Sequence, residues 1–425
     1  MAVIYLLYNF LWAIACVILL PVFLFGNRDY FARKFALDLP EWEKKEKRIW
    51  IHALSVGEVL STRPLIGALK KRCPGIPIVL SVKTTQGMKV AKQEIAQEVD
   101  DLFFMPLDCK RAVERIIRAI NPSIFILVET DIWPGIISCL KNRGIRTVLV
   151  NGRVSPGTFR GYKKFRFYFK KILNDIDLLL MQSDLDRSRL MEIGVSSNRV
   201  RTTGNIKFDQ EWHPMDKQEH EKWMSILGLD SLSIVIVAGS THEGEEEPVL
   251  RAYKKLLDRF PGLILVIAPR KPDRVKDIES IGNTLGLEVM KRTGLEGNKG
   301  QKYNVLILDT IGELGRIYGL ASVSFVGGSL VPIGGHNLLE PASLGCPVVF
   351  GKHTHNFVLM SELLLEHKGG IRIEDPDDLY DALEDLLSDH DKMEKMGKNA
   401  KKFVDENSGA VNRIMDSIGG DFASS

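Results

Sequence analysis

From residue 48 onward, short apolar runs alternate with helix-length amphipathic stretches. RIWIHA, PIVLSV, LFFM, IFILV, RTVLVN and DLLLMQ come first, each rich in Val, Ile, Leu or Phe. Uninterrupted runs of this length suit strands buried on both faces, and their alternation with helices predicts a parallel, doubly wound sheet. Between residues 204 and 229 the rhythm breaks into polar, Trp- and Pro-containing sequence. It restarts with SIVIVAG, LILVIAP, NVLILD, SVSFVGG and CPVVFG. The pattern therefore predicts an α/β chain with two Rossmann-like parallel-sheet domains and a cleft between them, ligands being held by the loops at the carboxyl ends of the strands. The expected division is an N-terminal segment (1–27), a charged connector (28–47), a first domain (48–210), a linker (211–230) and a second domain (231–425), with the last helix free to pack back on the first.

The N-terminal segment stands apart. Residues 3–25, VIYLLYNFLWAIACVILLPVFLF, are uncharged and about as long as a bilayer-spanning helix requires. The run lacks the basic start and small-residue cleavage site of a signal peptide, so a single-pass transmembrane anchor is expected. Arg28, Arg33 and Lys34 follow it and no Lys or Arg precedes it, which places the globular part on the cytoplasmic side. The formal charge of +3 hides an asymmetry: residues 48–210 carry 27 Lys/Arg against 15 Asp/Glu, and residues 211–425 carry 24 against 34. A basic half beside an anchor suits an anionic lipid surface or substrate, and no nucleic-acid reader motif accompanies it. The five cysteines, Cys16, Cys73, Cys109, Cys139 and Cys346, are scattered without a CxxC pair, which fits a reducing compartment and no structural zinc. No P-loop and no strand-linked G-x-G-x-x-G is present, which argues against a nucleoside triphosphatase or a nicotinamide enzyme.

Several strand ends carry candidate chemistry. In IWIHALSVGEV the chain turns through Ser55, Val56 and Gly57 and places Glu58 at a helix start. There it is either an acid favoured by the helix dipole, worth about 0.3–1 kcal/mol, or a catalytic base that the dipole keeps ionised. FILVETDIWPG ends a strand in Glu129 and Asp131, and GNIKFD offers Asn205 and Lys207, as a cleft-facing group or as a lysine merely paired to a carboxylate. In GGSLVPIGGHNLLEPA the loop residues Gly334, Gly335, His336 and Asn337 lead into a helix expected from Leu338, with Glu340 one turn in. This reads as an anion site with a ribose-binding carboxylate, or as a tight turn with a first-turn acid. Arg270 in APRKPDR suits a phosphate, Ser240 and Thr241 in AGSTHEGEE could donate to one or cap the next helix, and Gly312 and Glu313 open another helix. DID and DLD fit turn and capping positions rather than a metal site. RGYKKFRFYFKK (160–171) interleaves basic and aromatic residues, as a lipid headgroup site or a solvated basic helix.

Taken in order, the apolar N-terminus, HALSVGE, ETDIWP, NGRVS, GNIKFD, AGSTHEGEE, APR and GGHNLLEPA resemble the Kdo transferases. These enzymes move 3-deoxy-D-manno-octulosonic acid (Kdo) from CMP-Kdo onto lipid A precursors in lipopolysaccharide inner-core synthesis. The resemblance implies a GT-B fold, an inverting, metal-independent transfer without cofactor, and an inner-membrane location. It assigns Glu58 as proton acceptor, Glu129 and Lys207 as transition-state stabilisers and Asp131 as a further candidate. CMP-Kdo would be held by Pro269, Arg270, Ile311, Gly312, Glu313, Asn337, Leu338, Leu339 and Glu340, with Ser240, Gly334, Gly335 and His336 alongside. The acceptor lipid would meet Ser55, Gly57, Arg153, Arg160, Lys163 and Lys164. Two positions depart from the family pattern, Lys271 after Arg270 and Gln86 in SVKTTQGMKVA. The competing readings are a nucleotide-sugar epimerase of the same architecture and a membrane-tethered protein that binds anionic lipid.

Overall fold

The computed structural model describes residues 32–40, 42, 46–129, 131–210, 214–230, 233–295 and 302–419, with Tyr5, Tyr8, Trp12 and Ile14. The chain forms two compact units, one of Met1–Gln210 with Asn407–Ser425 and the other of Glu211–Glu406.

The first unit holds seven strands: β1 (Arg48–Ala53), β2 (Ile78–Val82), β3 (Asp101–Phe104), β4 (Pro122–Val128), β5 (Arg146–Gly152), β6 (Leu178–Met181) and β7 (Val200–Thr202). They pair in the order β3-β2-β1-β4-β5-β6-β7, all parallel. A parallel sheet must be covered on both faces, and β1 shows how one short run serves two cores. Ile49, Ile51 and Ala53 enter one apolar cluster, while Trp50 between them enters the other. The C-terminal helix Ala410–Ile418 joins the first of these clusters through Val411, Ile414 and Met415. Asp209 ties it down by accepting from the Gly409 and Val411 amides, and Arg413 donates to the Thr203 carbonyl at 2.7 Å.

The second unit repeats the plan with β8 (Ile234–Thr241), β9 (Leu263–Pro269), β10 (Val289–Lys291), β11 (Val305–Ile307), β12 (Val323–Val326), β13 (Val348–Gly351) and β14 (Gly370–Ile373). The order is β10-β11-β9-β8-β12-β13-β14, again wholly parallel. In each sheet the strand order reverses next to the first strand, between β1 and β4 and between β8 and β12. Loops leaving neighbouring strands there run to opposite faces and leave a crevice at the carboxyl ends.

Three expectations need correction. The strands β7, β10 and β14 were not among the apolar runs. They are three or four residues long and only partly buried, because all three are edge strands with little core to face. The segment 211–230 is not a bare linker: helix Lys217–Ile226, capped by Asp216, packs Trp223, Met224 and Ile226 against the second unit's core. The basic segment 160–171 is broken at Phe165 into helices Pro156–Lys164 and Arg166–Asp175.

The expected anchor at 1–27 lies outside the described residues except for four side chains. Of these, the Tyr5 hydroxyl donates to Asp175 at 2.7 Å and the Tyr8 hydroxyl to Asp108 at 2.7 Å. Among the described residues no helix is long and apolar enough to cross a membrane.

Candidate functional site

The first unit gathers its acids at the β1/β4 reversal. After β1, Ser55 caps helix Val56–Ser61, its side chain accepting from the Glu58 amide. The Glu58 carboxylate accepts from the Leu54 amide at 2.6 Å and from the Ser55 hydroxyl at 3.1 Å. Only 6% of Glu58 is exposed. Burial is the largest influence on its acidity and pushes the carboxyl from its ordinary 4.5 to about 7. The Leu54 and Ser55 hydrogen bonds pull it down, and the charges of Glu129 and Asp131 raise it further. The expectation that the helix start keeps Glu58 ionised is therefore corrected, since a dipole effect of at most about 1 kcal/mol is outweighed by desolvation. The neighbouring Gly57 is exposed, and a Cβ there would meet nothing within 4 Å.

After β4, Glu129 takes a left-handed backbone at φ 59°, an arrangement that costs a non-glycine residue about 1 kcal/mol or more. Its carboxylate meets Lys207 Nζ at 3.2 Å. Lys207 is presented by the short turn Ile206–Asp209, which buried Asn151 holds by accepting from the Ile206 amide at 3.1 Å. Asp131 accepts from Trp133 Nε1 at 2.6 Å, lies 3.4 Å from His52 Nε2 and 3.8 Å from Lys83 Nζ. Burial by itself would raise the Asp131 carboxyl, but the hydrogen bonds from His52 and Trp133 and the His52 and Lys83 charges hold it below the usual carboxylate range. Two nearby acids are thus driven apart, one toward neutrality and one toward ionisation.

The acceptor-side candidates divide. Ser55 and Gly57 belong to the Glu58 turn. Lys163 pairs with Glu192 and covers Phe159, and Lys164 lies over Phe165. With Arg160 they sit on helix Pro156–Lys164, and Arg153 lies exposed just before it. Beside them Phe165 and Phe167 are 57% and 82% exposed.

In the second unit the loops after β8, β9, β11 and β12 carry the donor-side candidates. Ser240 is left-handed at φ 57° and bulges β8 against β9. Neither Ser240 nor Thr241 caps the next helix, whose N-cap is Glu245. The Thr241 hydroxyl is buried and without a partner among the described residues. Pro269 closes β9, and the Arg270 amide donates to the Thr241 carbonyl at 2.9 Å, leaving the Arg270 side chain exposed. Ile311 is 92% exposed, Gly312 has φ 88°, and Glu313 is held by Arg292 at 3.1 Å and by the Thr310 hydroxyl at 2.5 Å.

The expected helix after GGHN is a single short element, Leu339–Ser343, and the Asn337 side chain already accepts from the Leu339 amide. Leu338 and Leu339 point their side chains into the core, so only their backbone is left to meet a ligand. Gly334 and Gly335 have φ 108° and 78°. Glu340 is raised above its usual range by burial, and no hydrogen-bond donor reaches its carboxyl among the described residues. A Cβ on Gly315 would come 2.8 Å from Glu340 Oε1.

Two residues that sequence reasoning missed organise this unit. Glu245 is fully buried, and its carboxylate accepts from four backbone amides, His242 at 3.0 Å, Gly328 at 2.7 Å, Ser329 at 3.0 Å and Leu330 at 2.9 Å. His242 in turn meets His336, Nε2 to Nε2, at 2.7 Å. Nothing local marks Glu245 out from Glu243, Glu246 and Glu247. Among the described residues no three His, Cys, Asp or Glu side chains converge as a metal site.

Residues 29–210 match the family described as 3-deoxy-D-manno-octulosonic-acid transferase (kdotransferase). A 3-deoxy-D-manno-octulosonic acid transferase of Haemophilus influenzae is 31% identical over 87% of this chain and 86% of its own length. The chain belongs to the Kdo transferase family. It is accordingly a glycosyltransferase by kinship. This Kdo transferase is also similar to a bifunctional glycosyltransferase/methyltransferase of Fusobacterium nucleatum, 32% identical over 94% of the chain, and spans 61% of that protein's length. In fold it is similar to UDP-GlcNAc 2-epimerase from Neisseria meningitidis bound to UDP-GlcNAc, at 12% identity and a TM-score of 0.57, covering 87% of this chain and 99% of that one. That likeness shows the fold alone, GT-B-like with two parallel sheets.

Proposed function

We propose that this family member transfers Kdo from CMP-Kdo to a sugar hydroxyl of a lipid A precursor such as lipid IVA, with inversion, without a metal or other cofactor, and with Glu58 as the base. The observation that carries this reading is the Glu58 carboxyl, buried at the turn after β1 and raised to about 7. A sugar hydroxyl is a weak acid, and a base titrating near the working pH is both available and strong enough to take its proton as the new bond forms.

In the reaction the hydroxyl oxygen attacks the anomeric carbon of Kdo, Glu58 takes the hydroxyl proton, and the bond to phosphate breaks with its electron pair leaving on CMP. Lys207, oriented by Glu129, supplies a positive charge, and Arg270 offers a two-pronged cation for the departing phosphate. Glu340, lacking a donor of its own, is free to accept from the ribose hydroxyls. The exposed Phe165 and Phe167 among Arg160, Lys164, Arg166 and Lys170 suit the headgroup region of an anionic bilayer. With the apolar N-terminus they favour an inner-membrane location with the catalytic units on the cytoplasmic side.

The test is incubation of the purified full chain with CMP-Kdo and a tetraacylated lipid A precursor, with products read by mass spectrometry. One or more Kdo additions, unchanged by EDTA, are expected. Absence of any Kdo on the lipid overturns the reading, and conversion of a nucleotide sugar without lipid supports an epimerase instead. Glu58→Ala is expected to abolish transfer while CMP binding persists.

A further inference from the structure

His242 and His336 do not stack. Their rings are parallel within 3° with centroids 5.0 Å apart, and their Nε2 atoms are 2.7 Å apart. Stacked rings lie about 3.5 Å apart, the contact distance of aromatic carbons, which a 2.7 Å atom pair forbids. The two imidazoles therefore meet edge to edge in nearly one plane. Two bare nitrogen lone pairs at that distance repel, and two facing N–H groups collide, so a single hydrogen lies between them.

The consequence lies at the outer nitrogens. In the neutral pair one Nδ1 carries a hydrogen and the other is bare. One added proton goes to the bare Nδ1, and the pair then presents two outward N–H donors and a positive charge while keeping its inner hydrogen bond. No hydrogen-bond partner meets either Nδ1 among the described residues.

The fold holds the pair firmly. Glu245 Oε2 accepts both from the His242 amide and from the Gly328 amide, so one carboxylate fixes the loop after β8 to the loop after β12. A Cβ on Gly328 would come 2.9 Å from His336 Cδ2, which only glycine avoids. The charged and titratable groups around the pair are Arg270 at the end of β9, the amide-bound Glu245, and His353 and His355 in the loop after β13, whose atoms border Gly335 and Gly334. Burial first, then His242 and Arg270, push His336 down to about 4, so His336 waits neutral near pH 7. An anion arriving beside Arg270 reverses that charge balance.

We propose that His242 and His336 act as one proton-sharing anion receptor for the phosphate of the donor nucleotide, taking up a proton as it binds. This rests on the donor reading above and extends it to His242 and to a proton.

Calorimetric titration of CMP into the full chain at pH 6.5, in two buffers of different ionisation enthalpy, measures the proton count. The wild-type protein is expected to take up about half a proton more per CMP, or above, than His242→Gln and His336→Gln, the difference cancelling the nucleotide's own ionisation. The variants are expected to bind CMP about tenfold more weakly, because glutamine can donate but cannot titrate. Nitrogen NMR of histidine-labelled wild-type protein gives the same answer without a substitution: on adding CMP, one further ring nitrogen gains a hydrogen, so that one imidazole of the pair carries hydrogens on both nitrogens while its partner keeps Nδ1–H and accepts at Nε2. CMP binding with equal proton counts, or with no imidazole protonated, overturns the receptor and leaves the donor reading standing. Failure of the folded wild-type chain to bind CMP overturns both.

Discussion

Lys207 Nζ sits 3.2 Å from Glu129 Oε1, and Glu129 reaches it from a left-handed backbone at φ 59°. A glycine would hold that conformation at lower cost, so a carboxylate kept there is retained against local stability. Glu129→Gly is expected to leave the melting temperature unchanged or a few degrees higher, because about 1 kcal/mol of strain relief offsets a partly exposed ion pair worth about 0–1 kcal/mol. Turnover is expected to fall by about 100-fold or more, as for other lost electrostatic groups, and Lys207→Ala is expected to share that loss. A large drop in melting temperature for Glu129→Gly would show the strained residue to be structural instead.

The raised Glu58 carboxyl links activity and stability in opposite directions. The base must be ionised, so kcat/KM is expected to rise with pH through a limb near 7. For stability the sign is reversed. The folded protein holds this proton more tightly than the unfolded chain, so the contribution is fully present below about 4.5 and is lost as pH climbs through about 7. Above pH 8 the ionised carboxylate costs the fold about 3 kcal/mol, and Glu58→Gln should recover most of it while losing turnover. Urea melts of both proteins at pH 4.5 and 8 check this, and equal differences at the two pH values would refute it.

Glu245 and Glu247 are two residues apart and should behave differently. Removing the Glu245 carboxylate leaves four amides without their acceptor, each unsatisfied group costing about 1–3 kcal/mol. Glu245→Ala is therefore expected to destabilise by at least about 3 kcal/mol. Glu247 is exposed and pairs with Arg251 one turn on, so Glu247→Ala should change stability by no more than about 0.5 kcal/mol. Denaturation midpoints compare the pair directly.

Gly334 has φ 108°, and a Cβ there would fall 2.3 Å from Asn356 Nδ2 and 2.5 Å from His355 Nε2. Gly334→Ala should cost about 1–3 kcal/mol and displace the loop that carries His336 and Asn337. CMP affinity, measured by titration, is expected to fall about tenfold, while Gly228→Ala, where the added carbon meets nothing within 4 Å, should leave affinity unchanged.

The two sheets were legible because a strand buried on both faces reads as an apolar run, as RIWIHA does in β1. β7, β10 and β14 were not, since VRT, VMK and GIRI carry too few apolar residues to stand out from a loop. The helix Lys217–Ile226 was also hidden, because its apolar residues are a short cluster around Trp223 in an otherwise polar stretch. Glu58 and Glu129 could be picked out as acids placed just after buried strands. His242, His52, Lys83 and Glu245 could not, because their significance lies in partners distant in the chain.

What the sequence determined by itself is therefore the periodic part: two parallel sheets, the turns at their carboxyl ends, and the candidate acids that sit on those turns. Only the tertiary structure decided the electrostatics. In HEGEEE it buries Glu245 under four amides and Glu246 beside Arg274, and leaves Glu243 and Glu247 in solvent. It moves Glu58 toward neutrality and Asp131 away from it, though both follow a strand. Periodicity is a property of neighbours along the chain, whereas burial and charge depend on what the fold brings in from elsewhere.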